Sequence, residues 1–109
     1  MPFEALEVAL ALDAAIQPAL KLIAKHNPRL ADQGSRASES NVLALSEGGS
    51  RINRGQMQFW RTALGSVTEL RDTVRVAIGR KYITVADLGE AAGLLDRSRA
   101  IDWRLVHRR

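Results

Sequence analysis

The sequence predicts an all-α fold, an up-and-down antiparallel four-helix bundle. Three observations lead there. Apolar residues recur at helical spacing along four long stretches, and no stretch alternates as a strand would. Aromatic residues make up only 5% while Ala and Leu are abundant, a balance that suits close-packed helices better than sheets. Short links join the stretches, which sets successive helices antiparallel. The 109 residues read as one domain, 1–109.

The first helix spans about 3–25. Leu6, Ala9, Leu12, Ala15, Ile16, Ala19, Leu20 and Ile23 form its stripe, with Glu7, Asp13, Gln17, Lys21 and Lys25 largely opposite. Pro18 removes one backbone hydrogen bond, but the stripe continues past it, so one bent helix is expected. The second helix spans 28–48. Asn27 can cap it, and Pro28 suits the first helical position. Its inward stripe is small: Leu30, Gly34, Ala37, Ser38, Asn41, Ala44 and Leu45. The third helix, 54–79, carries Met57, Trp60, Ala63, Leu64, Val67, Leu70, Val74 and Ile78, and Gly79 is placed to end it in a left-handed conformation. The fourth, 85–107, opens with Thr84 as cap and Asp87 at the third position. Leu88, Ala91, Ala92, Leu95, Ser98, Leu105 and Val106 line its inner face.

Composition removes several classes of function. There is no cysteine, so disulfides and thiolate chemistry are excluded. His26 and His107 are the only imidazoles and lie far apart in the chain; no metal-ligating cluster and no cofactor motif is visible. No segment is long and apolar enough to span a bilayer or to serve as a secretory leader, so a soluble cytoplasmic protein without a membrane partner is expected. The net charge of +4 is uneven. Residues 1–50 hold 4 Lys/Arg against 6 Asp/Glu; residues 51–109 hold 12 against 6, and 11 of those 12 are arginine. Such asymmetry permits an anionic partner such as RNA, although solvated helix faces account for it equally.

The stretch "ALSEGGSRINRGQ", Ala44 to Gln56, sets three glycines and two arginines between two helices. A phosphate loop would need Lys and Ser/Thr after its last glycine and a strand before the first. Here Gln56 follows Gly55 and the preceding segment is helical, so the stretch reads as a corner. Arg51 and Arg54 remain as candidate anion contacts near the start of the third helix.

Taken together, "SEGGSR" (Ser46–Arg51), "FWRTALGSVTEL" (Phe59–Leu70) and "RKYIT" (Arg80–Thr84) resemble the four-helix-bundle family of 23S-rRNA intervening-sequence proteins, which includes accessory proteins of diversity-generating retroelements. Glu47, Gly48, Arg51, Phe59, Ala63, Gly65, Ser66, Glu69, Leu70, Tyr82 and Ile83 match in order and spacing. The chain departs from the family at Ala44, where asparagine is frequent, at Ser46, which replaces an alanine, and at Lys81, which replaces a glycine. The resemblance implies a protomer of a ring-shaped homopentamer. It further implies a basic surface that, in the retroelement members, engages nucleic acid and a reverse transcriptase. It supplies no catalytic residue. In that framework Gly65 and Ser66 are expected where the third helix crosses the small stripe of the second. Glu47 and Glu69 are each expected to pair with an arginine such as Arg51.

One residue invites a catalytic reading. Asp102 falls seven residues after Leu95, on the inner face of the fourth helix, where a carboxylate needs a partner. Arg71 is the expected one, and a structural ion pair or a place at a subunit interface is favoured over a general base. Arg97, Arg104, Arg108 and Arg109 make the end of the fourth helix basic and are candidate phosphate contacts, with Trp103 available to stack on a base. Leu43 and Trp103 are large apolar residues off the main stripes, the expected oligomer contacts. The sequence therefore points to a non-enzymatic, homo-oligomeric adaptor that engages RNA or a nucleic-acid-processing partner. The alternatives are a purely structural oligomer and a small enzyme with a pocket centred on Asp102.

Overall fold

The computed structural model describes residues 3–52 and 54–107, apart from the side chain of Arg54. It contains α1 (Glu4–His26), α2 (Pro28–Gly49), α3 (Arg54–Gly79) and α4 (Ala91–Val106), with a 3₁₀ turn (Val85–Leu88) before α4. No strand occurs among the described residues. Each helix packs on its neighbours in sequence, and α4 closes on α1, in a body 43 × 23 × 20 Å.

The helix boundaries have local causes. Asn27 Oδ1 accepts from Leu30 N–H at 3.0 Å, and Pro28 opens α2 without losing a donor. α1 runs unbroken through Pro18, which is exposed, so the carbonyl it leaves unbonded faces the solvated side. The end of α3 differs from expectation. Tyr82 N–H donates to Ala77 O at 2.9 Å and Lys81 N–H to Ile78 O at 3.0 Å, the paired bonds of a Schellman closure. The left-handed residue is consequently Lys81, at φ 63°, and Gly79 is simply the last helical residue.

The fourth helix is also shorter than the sequence suggests. Thr84 Oγ1 accepts from Asp87 N–H while Asp87 Oδ2 accepts from Thr84 N–H, a capping box that opens only one 3₁₀ turn. Gly89 then takes φ 54°, a conformation incompatible with continuing the helix, and α4 begins at Ala91.

Two apolar clusters fill the interior. One is built on Leu12, Ile16, Ile23, Val67, Leu70 and Leu95; the other on Ala5, Ala9, Leu45, Trp60, Ala63 and Ile101. Between them α2 contributes Ser38 and Asn41, and α4 contributes Ser98 and Asp102, all buried. Two hydroxyl bonds tie α2 to its flanking helices: Ser38 to Asp13 Oδ1 at 2.8 Å, and Ser66 to Ser40 Oγ at 2.7 Å.

Close helix approach occurs at glycines other than the expected one. A Cβ on Gly48 would lie 2.5 Å from Trp60 Cζ3, and one on Gly34 would lie 2.9 Å from Leu20 Cδ2. Gly65 is exposed and a Cβ there would meet nothing within 4 Å. The third helix turns Ser66, not Gly65, toward α2.

Candidate functional site

The corner after α2 spends its polar groups on itself. Ser50 Oγ and N–H donate to Glu47 O, Arg51 N–H donates to Gly48 O, and Gln56 Nε2 donates to Gly48 O and Arg51 O. The Arg51 guanidinium reaches Glu47 at 3.1 Å and lies over the Phe59 ring, 5.3 Å from its centroid. Gly48 is where the Trp60 indole lies against α2, and Phe3 covers that indole at 5.3 Å. This is the geometry of a braced corner. The Glu47–Arg51 pair forms as expected, whereas Glu69 is exposed and enters no ion pair among the described residues.

Asp102 is fully buried, as its position on the inner face requires, but the expected partner is elsewhere. Arg71 bonds to Asp72 at 3.3 Å, its sequence neighbour, which is half-exposed and needs no reach into the core. Both Asp102 carboxyl oxygens and Asn41 Oδ1 lack a hydrogen-bond partner among the described residues. In the same interior, Asn41 Nδ2 donates to Ser98 Oγ at 3.2 Å, one helical turn before Asp102. Burial away from water pushes the Asp102 carboxyl up from 3.8 to about 7, because nothing compensates its charge. Among the described residues no group of three or more His, Asp or Glu stands placed to hold a metal.

Neither of two surface grooves among the described residues is lined by Asp102. One of about 530 Å³ lies between the start of α1 and the end of α4, lined by Phe3, Ile101, Trp103, Arg104 and His107 among others. The second, of about 370 Å³, lies between α2 and α3 and includes Leu43, Ala44 and Phe59. Leu43 is 59% exposed and Trp103 49%, the latter stacked on His107 with ring centroids 4.0 Å apart. Leu10, which lies off the α1 stripe, is a further exposed apolar side chain at 51%.

The candidate arginines separate by their partners. Arg97 is held by Glu4 at 2.8 Å and Arg51 by Glu47. Arg104 is exposed and enters no ion pair among the described residues. Arg108, Arg109 and the side chain of Arg54 lie outside the described residues.

No family model and no curated protein matches the chain. Among solved structures it is similar to a protein with unknown function from the S23 ribosomal protein family from Bacteroides thetaiotaomicron. The TM-score is 0.81 at 14% identity, over 94% of this chain and 97% of that one. At that identity the likeness shows the fold, and the chain is an all-α, four-helix protein. No helix among the described residues is long and apolar enough to cross a membrane.

Proposed function

We propose that the chain is the protomer of a non-catalytic, cytoplasmic homo-oligomer, the pentamer that the intervening-sequence resemblance implies, and that it serves as an adaptor for RNA. The observation that carries the oligomer is the exposure of Leu43 and Trp103. They sit on different helices, each bordering a groove that also contains apolar side chains, in a bundle whose own core is already filled. Large apolar groups that the fold leaves half-exposed are the ordinary material of a subunit contact. The excess of arginine in the second half of the chain supports the RNA role. Asp102, sealed inside the bundle, favours a structural part for the one perturbed acid.

The test is direct. L43E and W103E each place a charge in the supposed contact and should lower the mass in solution, by light scattering, without loss of helix content. Unchanged assembly in both variants contradicts the contact. A mobility shift of a generic RNA at low salt, weakening as salt rises, is the expected outcome for the adaptor role. No shift at low salt contradicts it and leaves the purely structural oligomer.

A further inference from the structure

One end of the bundle gathers positive charge from segments far apart in the sequence. α1 ends there, α2 begins there and α3 ends there. The His26 ring stacks on Tyr82, centroids 5.0 Å and planes 6° apart, which fixes the end of α1 against the segment after α3. Lys21, Lys25, Arg29, Arg80 and Lys81 stand on these elements, all exposed, and none enters an ion pair among the described residues. The acids on the same end are fewer. Asp87 accepts from Thr84, Asp32 is bound to Arg36 at 2.8 Å, and Glu90 stands exposed at the N-cap position of α4, its side chain making no cap bond.

Two of these cations occupy places the fold disfavours. Arg29 lies in the first turn of α2, at the positive end of the helix dipole, and no acid shares that turn. Lys81 holds the left-handed position of the α3 closure, which glycine would fill without strain. The dipole favours cations at helix C-termini, Lys25, Arg80 and Lys81 alike; it gives no reason for Arg29, and it does not relieve the left-handed backbone of Lys81. What the latter two share is a positive charge delivered to the same surface.

We propose that this end of the bundle docks the phosphate backbone of single-stranded RNA. The proposal rests on the RNA-adaptor reading and relocates its site to the end opposite Arg104. Exposed cations on the same elements as an exposed, flat imidazole backed by Tyr82 are the combination that single strands use, phosphates on the charges and a base on the ring. An anionic membrane fits less well. The exposed apolar side chains at this end, Val76 and Val85, are short, and bilayer-seated surfaces carry Trp, Phe or Leu.

The experiment is fluorescence anisotropy of a labelled 20-nucleotide oligouridylate with the full chain, as wild type, R29E, K81G and R104E, over a salt series. R29E and K81G should each bind several-fold more weakly at low salt. K81G should also reduce the slope of log K against log salt by about 0.7, the loss of one phosphate contact to a single strand. Both variants should melt at or above the wild-type temperature, because each removes a local misfit; loss of binding with gain of stability separates a binding role from a structural one. Wild-type affinity in R29E and K81G, with affinity lost in R104E, overturns the assignment and leaves the RNA role standing at the other end. No binding by the wild type at low salt fails the RNA reading itself. Binding to phosphatidylserine vesicles but not to the oligonucleotide, abolished in R29E, overturns the proposal in favour of a membrane.

Discussion

Replacing Asp102 by asparagine should abolish a pH dependence that the wild-type bundle carries. The carboxyl is completely buried and unpartnered, and it titrates at about 7 in the fold against an ordinary value of 3.8. Its folded value is raised, so the fold favours the protonated form. Below 3.8 the acid is neutral in both states and makes no difference to stability. Between 3.8 and about 7 the unfolded chain releases the proton and the folded chain keeps it, so stability falls as pH rises; above 7 it levels off. The whole fall amounts to about 4 kcal/mol. Asparagine has the same shape and no charge. D102N should therefore match the wild type near pH 4 and exceed it by up to about 4 kcal/mol near pH 8. Urea unfolding of both proteins at one protomer concentration measures the difference, since assembly contributes to apparent stability. A gap that stays the same at both pH values would refute the reasoning. It would mean that the carboxylate finds compensation in the core.

Two further substitutions test the packing. G48A should destabilise by about 1–3 kcal/mol, because the new methyl meets a rigid indole at 2.5 Å. G65A, on an open face, should gain about 0.8–1 kcal/mol from helix propensity. Urea midpoints read both, and equal effects would contradict the placement of the two glycines. T84A breaks the capping box before α4 and should cost about 1 kcal/mol by the same measurement. A neutral result would show that the 3₁₀ turn is held by Leu88 packing alone.

Where the sequence decided structure locally, it could be read. Asn27 and Pro28 mark the α1–α2 junction by their own chemistry, and the apolar stripes of α1, α2 and α3 show which faces turn inward. The failures are tertiary. Gly48 and Gly65 look alike on a helical pattern, and only the register of α2 against α3 shows which of them meets a side chain. The helical pattern puts Asp102 on the correct face but does not identify its partner, because Arg71 is satisfied by Asp72 beside it. The sequence makes the fourth helix too long, since Thr84 and Asp87 signal a start without showing that Gly89 stops it after one turn. Surface charge was hidden by averaging. Residues 1–50 are net acidic, yet Lys21, Lys25 and Arg29 from that half join Arg80 and Lys81 at one end of the bundle. The resemblance at Lys81 marked a departure from glycine, and the structure gives that departure a left-handed backbone.

Sedimentation equilibrium of the untagged wild-type protein decides whether the chain assembles. The chain weighs 12.0 kDa, and a closed ring of five would weigh about 60 kDa. A stable multiple of the chain mass is expected, with about 60 kDa as the pentameric value. A single species at 12.0 kDa across micromolar concentrations would contradict it, for Leu43 and Trp103 would then face water in the working protein.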